Sequence, residues 1–146
     1  MKKLLIYLLL LLPLALVSCG SDDDEPSTGL SGTWVKNDLT DGDSHGSWTF
    51  KFSGNNVIYT EKWSESGHEN DVEVYSGTYE TFNDHENDPE KTKYLNMHVT
   101  YTYSGGSSSY DWEFAYSISG KELTLTPISS ETRNYFGSSS FVLKRK

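Results

Sequence analysis

Residues 95–119, "LNMHVTYTYSGGSSSYDWEFAYSIS", run through the same pattern twice. Leu95, Met97, Val99, Tyr101 and Tyr103 fall on one side of an extended chain, with Asn96, His98, Thr100 and Thr102 on the other. This period of two marks a strand with one apolar face and one wet face. After Ser104 to Ser109 the pattern resumes: Tyr110, Trp112, Phe114, Tyr116 and Ile118 alternate with Asp111, Glu113, Ala115 and Ser117. Two such runs joined by a Gly/Ser loop make an antiparallel hairpin.

The same period extends in both directions. Trp48, Phe50 and Phe52 alternate with Thr49 and Lys51, and Leu123 and Leu125 with Thr124 and Thr126. About eight strands are expected, over 33–38, 47–53, 57–64, 71–81, 94–103, 110–118, 122–128 and 140–145. Turn signals at Gly54 to Asn56, at Ser66 and Gly67, and at Ser119 and Gly120 separate them. From Thr33 onward no apolar stripe repeats at 3.6, so the domain is all-β. Evenly spaced short strands leave an antiparallel sandwich and a closed barrel as the alternatives. Eight strands close around side chains or one small ligand.

At 146 residues there is room for one domain. Lys2 and Lys3 precede an apolar run from Leu4 to Val17, too short to span hydrocarbon and proportioned like a signal peptide over residues 1–18. Its removal leaves 10 of the 12 basic residues against 21 acidic ones, a net charge of −11. Phosphate backbones and anionic headgroups repel such a chain, which argues against nucleic-acid partners. The single cysteine, Cys19, forms no disulfide within its own chain, so stability must come from a packed core. About 128 residues bury roughly two thirds of the surface that the unfolded chain exposes.

Leu16, Val17, Ser18 and Cys19 resemble the bacterial lipobox, which implies cleavage before Cys19 and covalent diacylglycerol and N-acyl chains on it. Each buried methylene contributes about 0.8 kcal/mol, so several chains hold firmly. Behind it, Ser21, Asp22, Asp23, Asp24 and Glu25 resemble the export signal of Bacteroides-type lipoproteins, which implies a lipid-anchored protein on the outer face of the outer membrane. Residues 19–30 then form an acidic tether, because like charges with Pro26 and Gly29 do not pack.

In residues 31–146, Gly32 and Trp34 of "LSGTW" are similar to the opening of lipocalin-like (calycin) domains. The resemblance implies a small antiparallel up-and-down barrel closed by Gly32 and Trp34, with Arg145 of "FVLKRK" packed over the tryptophan. The short spacing between the first two strands departs from fatty-acid-binding proteins. Lys36 stands two residues after Trp34, where avidin-like proteins place an asparagine for biotin. Large lipocalins carry a helix before their last strand, but Ser129 to Ser140 is short, polar and interrupted by Gly137, and reads as loop.

His45, His68, His85 and His98 are scattered without metal-ligand spacing, so no metal site is expected. Asp84, Glu86, Asp88 and Glu90, and separately Asp38, Asp41 and Asp43, read as solvated acidic loops rather than calcium loops. The serines sit in Gly/Ser loops without a nucleophile elbow, and no enzyme activity or cofactor is expected. Glu61 shares a strand face with Val57, Tyr59 and Trp63, as a polar anchor inside the barrel or a residue of its wet mouth. Tyr59, Glu61, Trp63, Tyr101, Tyr103, Trp112 and Tyr116 are the candidates to line a cavity. A small apolar or amphipathic ligand in that cavity is the leading expectation. A filled barrel contacting a glycan or an envelope or host protein through its loops is the alternative.

Overall fold

A computed structural model describes residues 29–65, 71–83 and 92–146. Eight strands follow one another as β1 (Gly32–Asp41), β2 (Ser44–Ser53), β3 (Asn56–Ser64), β4 (Asp71–Asn83), β5 (Lys93–Tyr103), β6 (Gly106–Ser119), β7 (Glu122–Pro127) and β8 (Phe141–Arg145). Each pairs antiparallel with the next, and β8 pairs back onto β1. The chain is therefore an all-β, closed, up-and-down eight-stranded barrel of lipocalin-like architecture.

Several strand boundaries move, at the β1–β2 and β5–β6 hairpins for local reasons. β1 continues to Asp41 because a bulge between Lys36 and Leu39, with Asp38 at φ 65, absorbs an extra residue and keeps the pairing with β2. The expected loop over Ser104 to Ser109 contracts to a turn at Ser104 and Gly105, since Tyr103 pairs directly with Gly106. Serines carry a hairpin when the partner strand already fixes its register.

One correction is larger. The segment expected to be loop between β7 and β8 contains a helix, α1 (Ser130–Phe136). Ser129 caps it, with Oγ accepting from the Thr132 N–H at 3.2 Å, and Gly137 closes it at φ 84 with its N–H donating to the Arg133 carbonyl. Ser129 is a helix start signal and Gly137 a stop signal, but seven residues make only two turns, too few to display a period of 3.6.

Inward side chains from all eight strands fill the axis, among them Trp34, Phe50, Tyr59, Leu95, Trp112, Phe114, Leu125 and Leu143, all fully buried. Burying each large apolar side chain contributes about 1.5–3 kcal/mol, which makes this fill the main source of stability. Trp48 and Trp112 keep buried indole N–H groups with no acceptor among the described residues. The interior is thus built for apolar packing more than for polar recognition.

The β4–β5 pairing tolerates no side chain at Gly77, where an added Cβ would stand 1.8 Å from the His98 carbonyl oxygen. Gly77→Ala is expected to cost about 3 kcal/mol, the upper range for overpacking, read as a lower urea midpoint at unchanged m-value. Gly105→Ala, whose added methyl meets only the Tyr103 ring at 3.4 Å, should stay within about 0.5 kcal/mol of the parent.

Candidate functional site

The two ends of the barrel differ. At one end β1 begins, and Trp34 is fully buried with its Nε1–H donating to the Leu30 carbonyl at 2.7 Å. Arg145 Cζ lies 4.2 Å from the Trp34 ring centroid, a cation–π contact. The same guanidinium donates to the carbonyls of Ser31 at 2.9 Å and Gly29 at 2.8 Å. Gly32, at φ 120, leaves space for it, since a Cβ there would sit 3.2 Å from Nη1. These contacts reinforce a short seam, because β1 and β8 share only the register pairs Trp34 with Arg145 and Val35 with Lys144.

The other end is the mouth, where α1 bridges β7 and β8 and turns two rings inward. Phe136 lies 4.8–6.1 Å, centroid to centroid, from the rings of Trp48, Phe50, Tyr59, Trp112, Phe114, Tyr135 and Phe141. Tyr135 stacks beside it, 4.8 Å from Trp112 and 5.9 Å from Tyr75. The helix is a plug.

Above the plug the hydroxyls and carboxylates meet. Glu61 Oε2 accepts from the Tyr59 hydroxyl at 3.0 Å and from the Tyr135 hydroxyl at 2.8 Å, while Oε1 accepts from Trp63 Nε1 at 2.5 Å. Three converging donors suit a side chain whose oxygens accept only. The Tyr135 oxygen also lies 2.9 Å from the Tyr75 hydroxyl, which donates to Glu73 at 2.7 Å. Burial pushes the hydroxyls of Tyr59, Tyr75 and Tyr135 well up, and for Tyr59 the charge of Glu61 adds to that. These tyrosines therefore act as donors and not as bases.

Outside this network is an open cleft of about 560 Å³ lined by Glu61, Trp63, Asp71, Val72, Glu73, Tyr101 and Tyr135. Of the residues expected to line a cavity, Glu61, Trp63 and Tyr101 line this cleft, and Tyr59 and Trp112 lie beneath it as buried wall. Tyr103 is 48% exposed, just past the rim. Tyr116 sits toward the opposite end, pairing with Lys93 and bonded to Thr81, with its hydroxyl pushed up by burial. Tyr135, Tyr75 and Glu73 escape a strand-by-strand reading; the signal for Tyr135 was the Ser129 cap with Gly137, which defines α1.

Cys19 and Ser21 to Glu25 lie outside the described residues, as do His68, His85 and the acids Asp84, Glu86, Asp88 and Glu90. Asp38, Asp41 and Asp43 are exposed on the β1–β2 hairpin.

Two outcomes follow from this geometry. Phe136→Ala is expected to cost about 3–5 kcal/mol and to leave an apolar void; benzene should then raise the thermal midpoint of the variant and leave that of the parent unchanged. The folded chain also retains tyrosine protons where unfolded tyrosines, titrating near 10, release them. Stability from these groups is complete below about pH 10 and falls as the pH rises above it, and in urea titrations Tyr59→Phe should reduce the alkaline slope by about one proton.

No protein-family model, curated protein or solved structure matches the chain.

Proposed function

We propose that this protein is an outer-membrane surface lipoprotein, anchored through lipid on Cys19, and that its filled barrel is an interaction module working from the mouth. The observation that carries the reading is the occupation of the barrel axis by Phe136 and Tyr135. A small apolar ligand inside the barrel must expel both rings, at a cost of several kcal/mol. The cleft above them needs no rearrangement.

Its chemistry selects the partner. Glu61, Asp71 and Glu73 face it beside Trp63, Tyr101 and Tyr135, and among the described residues no lysine or arginine lines it. Carboxylates and ring faces together favour a cationic group, because both the charges and the aromatic quadrupoles attract it. A protein segment carrying arginine or lysine fits this cleft better than an anionic glycan, which the carboxylates repel.

The anchor and the mouth are tested separately. Cys19→Ala should abolish incorporation of labelled palmitate, and alanines at Asp22 to Glu25 should leave lipidation intact while reducing cleavage by external protease. For the mouth, penta-arginine is expected to shift the Trp63 indole resonance in the full chain, with a response that weakens as salt rises. Asp71→Asn combined with Glu73→Gln should weaken that response about tenfold. An unmoved Trp63 signal, or an equal response to pentaglutamate, would overturn the assignment of the cleft.

A further inference from the structure

Trp63 stands half-buried at the rim of the mouth, and the fold holds its ring in place. Its register partner on β2 is Gly46, and a Cβ at Gly46 would lie 2.7 Å from Cε3 and 2.8 Å from Cδ2 of the indole. The ring therefore rests on bare backbone, in space that any other residue at that position would fill. Its edge is pinned as well, because Nε1–H donates to Glu61 Oε1. What remains of the indole lines the cleft together with Tyr101 and Tyr135. A ring already fixed loses little freedom when a ligand settles on it.

The carboxylates beside it offer charge more than acceptors. Glu61 Oε2 takes the hydroxyls of Tyr59 and Tyr135, which occupies both its lone pairs, and Oε1 takes the Trp63 indole. Glu73 Oε2 accepts from Tyr75. A guanidinium arrives with five N–H donors and a primary ammonium with three, so beside Glu61 most of them would give up water without gaining an acceptor. A trimethylammonium has no N–H to satisfy. Its charge is spread over methyl groups that lie against ring faces, where the aromatic quadrupole and the neighbouring carboxylates both attract it. A phosphocholine headgroup carries the same cation, but Asp71 and Glu73 repel its phosphate.

We propose that the cleft selects a trimethylated lysine side chain on its protein partner, with the ammonium seated against Trp63, Tyr101 and Tyr135. This rests on the reading of the cleft as a cation site and adds which cation it prefers.

The test is isothermal titration calorimetry of the full chain with pentapeptides of trimethyllysine, lysine and arginine, which carry equal charge. The trimethyllysine peptide is expected to bind at least about fivefold more tightly than the lysine peptide, within the range of one desolvated cation–π contact. Trp63→Leu should erase that preference, and Trp63→Phe, which keeps a ring, should leave an intermediate one. Asp71→Asn should weaken all three peptides alike and leave their ratios unchanged, because charge is common to them. Equal affinity for the lysine and trimethyllysine peptides, or tighter binding of the arginine peptide, would overturn the proposal while the cation site stands. No heat from any of the three would remove both. Phosphocholine competing as well as the trimethyllysine peptide would make a lipid headgroup the occupant, and would also overturn the proposal.

Discussion

The structure depends on filling the space that eight strands enclose. A barrel of this size leaves an axis that side chains or a ligand must occupy, and an unfilled apolar void costs about as much as the contacts it lacks. Here Phe136, on a helix of seven residues, sets its ring among those of Trp48, Phe50, Tyr59, Trp112, Phe114 and Phe141. The hydrogen-bond network above follows from that placement, because the residue before it, Tyr135, is carried to within 2.8 Å of Glu61. Packing and polar order at the mouth are thus set by one short element.

The strands were legible because each is amphipathic over its whole length, so that one misplaced residue would turn a row of rings into solvent. Their ends were less so. Asn83 continues β4 two residues beyond the expected stop, and β1 passes its bulge to Asp41, because pairing with a neighbour, invisible in a single strand, decides where a strand stops. Helix α1 was hidden for a different reason. It shows its caps, Ser129 and Gly137, but buries only Thr132 and Phe136, too sparse a pattern for a periodicity argument.

The candidate site divides along the same line. Tyr59, Glu61 and Trp63 are evident as one strand face, since alternation alone places them together. Tyr75 and Glu73 join them through the register of β4 against β3, and Tyr135 is brought to Glu61 and Tyr75 only when α1 folds over the mouth. Alternation separates inward from outward, but it is silent about height along the axis. Hence Tyr116, on the same face of β6 as Trp112, belongs to the other end of the barrel.

Gly29 and Lys146 both lie at the Trp34 end, the first held by Arg145 and the second with its N–H on the Thr33 carbonyl at 2.9 Å. The cleft lies at the opposite rim. A carrier, surface or fusion partner attached at either position is kept a full barrel length from Glu61 and Trp63, so the domain can be immobilised from below with its binding rim unobstructed. The same geometry would let two barrels be joined closed end to closed end through a linker from Lys146 to Gly29, with both mouths left open and facing apart.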